Sequence, residues 1–184
     1  MASATGRFFP VQVMHLGPVG TFAGFNVATL GGDGTVASGD SGPWFGQLGQ
    51  VVEDSGKCYR LVQFDNGTGD VASAAGGVAH WKTRASFIVT SDQTDAQASL
   101  NSVAGGFLGI QTDQYYCFIQ LGGTQAVITD TTQAAGVALI ASTTDLTLVA
   151  GSTNTKGNQL IYAISYGTVT TTSVTVFWVF GNLL

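Results

Sequence analysis

Charge is what this sequence has least of. Only 17 of its 184 residues are charged, 6 Lys or Arg and 11 Asp or Glu. That is 9%, where a typical soluble domain carries about 25%. The shortage excludes disorder driven by charge, and it also excludes a generally well-solvated surface. By the usual mass scaling, a compact monomer of 18.9 kDa exposes roughly 8,300 Å², or about one charge per 490 Å². A bland surface of this kind is expected where much of it is covered by partners. The net charge of −5 and the few basic residues exclude a binder of the phosphate backbone, so no nucleic-acid partner is expected.

Other absences narrow the field further. There are two cysteines, Cys58 and Cys117, which excludes a disulfide-stapled scaffold; both lie in apolar contexts and are expected as reduced core residues. No apolar run approaches the length of a membrane span, and residues 1–10 lack the apolar stretch of a signal peptide, so we expect a chain made and kept in the cytoplasm with no membrane partner. His15 and His80 are the only histidines. No Cys-x-x-Cys or His-x-x-x-His spacing accompanies them, so neither metal nor cofactor is expected, and ordinary half-buried histidines are.

What is present is glycine, 26 residues, together with short apolar segments. Residues 1–45 read as an extended amino-terminal arm with a short hairpin, punctuated by Gly17-Pro18, Gly31-Gly32-Asp33-Gly34 and Gly39 to Pro43. Residues 46–184 read as the core domain. Strands are expected at Gly46–Glu53 and Cys58–Phe64 around a turn at 54–57, within Val78–Thr90, and at Ser102–Gln111, Tyr115–Leu121 and Gln125–Thr129. Further strands are expected at Val137–Ala141, Leu146–Ala150, Gln159–Thr168 and Thr172–Phe180. Asp92–Ser102 is a helix candidate, with Asp92 as its N-cap, and is equally compatible with a loop. The fold class is therefore all-β: a small barrel or sandwich of short antiparallel strands with an extended arm.

The carboxy-terminal part is the most informative. From Gly157 to Leu184 there is no charged side chain. Val174, Val176, Trp178 and Phe180 alternate with Thr175, Phe177 and Val179, so both faces call for burial. Left on an open sheet edge, such a strand would aggregate. It is expected either in the centre of a sheet or at a subunit contact.

Gly39-Asp40-Ser41-Gly42 has the string that surrounds the nucleophile of chymotrypsin-like proteases. A nucleophilic Ser41 needs an imidazole base and a carboxylate to orient it. In that family both lie far upstream of the serine, whereas here only His15 and Asp33 precede Ser41, so a turn is the expected role. Asp65-Asn66-Gly67-Thr68-Gly69-Asp70 offers oxygen ligands for a cation but lacks the downstream Glu of a calcium loop. Aromatic residues are the other candidates: Phe8, Phe9, Trp44, Phe45, Trp81 beside Arg84, Phe177, Trp178 and Phe180 are expected to be enriched at assembly contacts, with most aromatics serving as core. Trp44 and Trp81 are the residues on which a carbohydrate-binding module would stack a sugar.

Several segments taken together resemble the small cement or decoration proteins of tailed-bacteriophage heads. They are Gly49-Gln50-Val51-Val52 to Tyr59-Arg60-Leu61-Val62, Trp81-Lys82-Thr83-Arg84 to Val89-Thr90, Val103-Ala104-Gly105-Gly106, Gln111 to Gly123, Gly136 to Thr144, and Ala163 to Tyr166. The resemblance covers roughly residues 46–184 and is one of style and order. It implies a non-catalytic protein on the outer surface of the capsid in the virion, often a homotrimer, which bridges subunits of the major capsid protein. On that reading the carboxy-terminal half forms the trimer core and the arm contacts the shell.

Overall fold

The computed structural model describes residues 25–26, 48–54, 56–97, 102–151, 162–166 and 173–179. Twelve strands account for nearly all the regular structure of these residues, so the chain is all-β as expected. The first group is β1 (Phe25–Asn26), β2 (Val51–Asp54), β3 (Lys57–Phe64), β4 (Val78–Thr83), β5 (Ile88–Thr90), β6 (Val103–Phe107) and β7 (Tyr115–Gln120). Its order is β1-β7-β6-β4-β5-β3-β2, and an additional pairing of β7 with β3 closes five of the strands into a barrel. Closure runs through a parallel contact, Gln63 with Ile88 and Phe64 with Val89, in a sheet that is otherwise antiparallel.

The barrel closes because β3 is long enough to serve three neighbours. Lys57–Arg60 pair with β2, Tyr59–Gln63 with β7, and Gln63–Phe64 with β5. The β2–β3 turn is tight, with Asp54 opposite Lys57 and Gly56 at φ 76°, a left-handed conformation that glycine adopts without strain. Alternate residues of β3 point inward. Val62 and Phe64 join Ala79, Trp81, Val89, Phe107, Cys117 and Ile119 in one apolar cluster that fills the barrel. Arg60 and Cys58, further along the same face, are only half-buried, so the barrel is open toward that end.

The second group is β8 (Gly123–Ile128), β9 (Ala138–Ala141), β10 (Leu148–Ala150), β11 (Ala163–Ser165) and β12 (Ser173–Trp178), in the order β10-β9-β11-β12-β8. Its inner face supplies Val127, Leu139, Leu148, Ala163, Val174, Val176 and Trp178 to a second cluster, which also takes Val78 of β4 and Val103 of β6. The second sheet therefore packs against the outside of the barrel. Gly106 makes the close approach possible: a Cβ there would lie 2.2 Å from Oε1 of Gln125 and 2.8 Å from the Trp178 ring.

β12 sits between β11 and β8 and pairs with β8 over all six residues, Ser173 to Trp178. The uncharged strand is thus internal to its sheet, one of the two places its pattern allowed. Of the amino-terminal arm, only β1 is described. It adds a two-residue strand to β7, pairing Phe25 with Tyr116 and Asn26 with Tyr115.

Of the helix candidate at 92–102, residues 92–97 and 102 are described, and they hold a single 3₁₀ turn, Gln93–Asp95. Asp92 is its N-cap, with a side-chain oxygen accepting from Thr94 N. The turn ends at Ala96, whose backbone is extended, because the next amide, Gln97 N–H, donates to the Trp81 carbonyl at 2.6 Å. A backbone bond to β4 takes the place of the next helical turn.

Candidate assembly surface

Strands β8 to β12 contain no charged side chain. Along β12 burial alternates strictly: Val174, Val176 and Trp178 are buried, while Ser173, Thr175 and Phe177 are exposed. On the outward face Phe177 is 49% exposed and lies directly opposite Ile164 of β11, which is 41% exposed. Tyr166 at 75% and Val179 at 37% continue the patch. The Tyr166 amide donates to the Thr175 carbonyl and the Val179 amide to the Tyr162 carbonyl, so Tyr166 is held beside β12 and Val179 beside the start of β11. The arrangement presents four large apolar side chains on a paired sheet with no charge among its strands. A face of this kind can bury area against a partner at no cost in desolvated charge.

The candidate contacts fall on both sides of the surface. Phe177 is on it. Trp178, on the same strand, points the other way: it is 3% exposed, and its Nε1–H donates to Gln125 Oε1 at 2.8 Å. Trp81 is 2% exposed and belongs to the barrel interior. Neither indole can serve as a contact, for the alternation of β12 and of β4 turns both inward, and the sugar-stacking role considered for Trp81 goes with it. Arg84 is exposed, in the 3₁₀ turn that follows β4. Phe8, Phe9, Trp44, Phe45 and Phe180 lie outside the described residues, as do His15 and Ser41. Ile164, Tyr166 and Val179 are not among the contact candidates read from the sequence. Their signal was the same uncharged carboxy-terminal text that drew attention to Phe177.

Arg84 and Arg60 both stand over the Trp81 indole, their Cζ atoms 5.9 Å and 5.8 Å from the ring centroid. Phe87 meets the same indole edge-on at 6.3 Å. Phe87 itself holds φ 55°, and its ring occupies the space that a side chain on Gly49 would need. Burial, and after it the charge of Arg84, lowers the pKa of Arg60.

The 65–70 loop is tied down by carboxylates. Asp65 accepts from Gly67 N at 2.9 Å, Asp92 from Gly69 N at 3.0 Å, and Asp95 from Thr68 N at 2.8 Å. Asp113 accepts from Asn66 N at 2.9 Å. The cation present is Lys82, with Nζ 2.8 Å from Asp65 and 3.4 Å from Asp95. Among the described residues no cluster of three or more metal-ligating side chains forms. The Thr94 hydroxyl, the Gly69 amide and the Thr94 amide hold Asp92 below the ordinary carboxylate range, against the opposing effect of burial. The Thr68 amide and hydroxyl, followed by Lys82, do the same for Asp95.

His80 is fully buried, deeper than the half-buried position expected of it. Its Nδ1 lies 3.0 Å from Ser102 Oγ, and its Nε2 has no partner. Burial pushes its pKa down to about 4. The Ser102–His80 pair is enclosed, since Ser102 is also fully buried, and a nucleophile must be reachable to act. Cys117 is a buried free thiol, and Cys58 is half-buried.

No protein-family model matches the chain, and no curated protein matches it. Among solved structures it is similar to the N base of the head fiber gp8.5 of bacteriophage phi29, with a TM-score of 0.45 and 10% identity, over 66% of this chain and 92% of that one.

Proposed function

We propose that this chain is a structural protein of a tailed-phage virion, one that binds the outer surface of the capsid and stabilises it by bridging major capsid protein subunits. The observation that carries the reading is the outward face of β11 and β12, where Ile164, Tyr166, Phe177 and Val179 lie exposed on strands without charge. Closed symmetric oligomers are the usual way to cover such a face, and a homotrimer accords with the family that the sequence resembles. Binding does the work on this reading, and no reaction is assigned to the chain.

Cryo-microscopy of particles carrying the protein tests the proposal. Density for the barrel and its second sheet is expected on the exterior of the shell, across seams between capsid subunits. Density found only in the tail, or particles lacking the protein, would overturn it. Light scattering on the purified chain is expected to give three times the monomer mass.

A further inference from the structure

We propose that Arg60 and Arg84, gathered on the indole of Trp81 at the open end of the barrel, form a receptor for a side-chain carboxylate of a partner protein. The two guanidinium carbons lie 5.8 Å and 5.9 Å from the centroid of one ring. Both ion pairs among the described residues belong to Lys82. Neither arginine has an ion-pair partner among the described side chains, in a chain whose acidic residues outnumber its basic ones by 11 to 6. Asp65 and Asp95 are engaged by Lys82.

Two like charges on one ring repel each other. Attraction to the indole offsets part of that repulsion, and no described side chain accepts a hydrogen bond from either fork. Arg60 Nε is shut off from water and has no hydrogen-bond partner. A planar, negatively charged acceptor is what a guanidinium fork fits bidentately. The platform is fixed in advance: Trp81 is packed in the barrel and held edge-on by Phe87, while Arg84 remains exposed and open to approach.

The chemistry favours one carboxylate over a polyphosphate. A nucleic-acid backbone needs many cations, and this chain carries six and a net charge of −5. A single Asp or Glu needs only the local pair. The identity of the partner as a virion subunit rests on the proposed function; the receptor itself does not.

The test is an NMR titration of the full chain, following the Arg60 and Arg84 Nε–H signals and the Trp81 indole N–H. The probes are acetyl-tetra-aspartate amide, its tetra-asparagine counterpart, and inorganic phosphate. The acidic peptide is expected to shift all three signals saturably and the neutral peptide none. Arg84→Gln is expected to weaken binding about tenfold or more, the loss of charge-assisted hydrogen bonds. Arg84→Lys is expected to weaken it as well, since charge without the fork is not equivalent. Unchanged thermal unfolding of both variants shows that the barrel is intact. Absence of saturation, equal binding of the neutral peptide, tighter binding of phosphate than of peptide, or undiminished binding by Arg84→Gln each overturns the receptor. Peptide binding by a protein absent from particles leaves the receptor standing and removes the capsid reading; capsid binding without peptide binding does the opposite.

Discussion

Acidification should destabilise this protein through one residue before its carboxylates titrate. His80 is fully buried, and its pKa is about 4, against an ordinary 6.5. The folded state therefore holds the imidazole neutral, while the unfolded chain protonates it below pH 6.5. Between pH 6.5 and 4 the unfolded state binds a proton that the folded state refuses, so stability is complete above 6.5 and falls as the pH drops through that window. At about 1.4 kcal/mol per pH unit the loss reaches roughly 3 kcal/mol at pH 4. For a chain of this size that corresponds to about 6–12 °C in Tm. The carboxylates held below their usual range, Asp65, Asp92 and Asp95, add a loss of the same sign only at lower pH, below about 4. Differential scanning fluorimetry from pH 7.5 to 4.5 should show the decline in the parent and in a His15→Gln control, and a much flatter profile in His80→Gln. Should that variant fail to fold, the imidazole signals of the parent give the pKa directly. A His80 pKa near 6.5, or an equal pH slope in parent and His80→Gln, would refute the reasoning.

Three further outcomes follow from the packing. Phe177→Asp, with or without Ile164→Asp, should convert the proposed oligomer to monomer in light scattering while leaving the monomer folded by circular dichroism; burying the exposed half of one such ring, about 100 Å², would contribute about 2–3 kcal/mol per protomer. Gly106→Val should lower stability by about 1–3 kcal/mol, read as a lower denaturant midpoint, because the new side chain meets Gln125 and Trp178. Asp92→Ala should cost about 1–2 kcal/mol, since it removes the N-cap and the acceptor of the Gly69 amide together.

Local pattern carried much of the fold. The alternation of β3 and β12 and the apolar text of β7 placed those strands within a residue or two, because burial on a pleated sheet repeats every second residue. Closure of the barrel was not legible. It depends on β5 lying parallel to β3, a contact between segments about 25 residues apart that no turn signal marks. The 3₁₀ turn at 93–95 was half legible: the Asp92 cap was written locally, whereas the bond from Gln97 to Trp81 that stops the helix was not. The same holds for the assembly surface. Alternation identified Phe177, but Ile164 becomes its neighbour only through the register of β11 against β12. Arg60 meets Trp81 and Arg84 only because the barrel brings β3 across to β4.

The position of β12 also sets an order of events during synthesis. Every strand of the closed barrel falls between residues 57 and 120, so its pairings are complete in the chain well before β12 is made. The second sheet has no such independence. β8 ends at Ile128 and must wait for Ser173–Trp178 to arrive before it gains a strand partner along its length. On the ribosome, where amino-terminal segments fold first, the barrel forms as a template and β12 later enters between β8 and β11 as a keystone. A stalled or shortened product ending before residue 173 would carry a formed barrel beside two unjoined parts of a sheet, with strand edges and the inner apolar residues open to association.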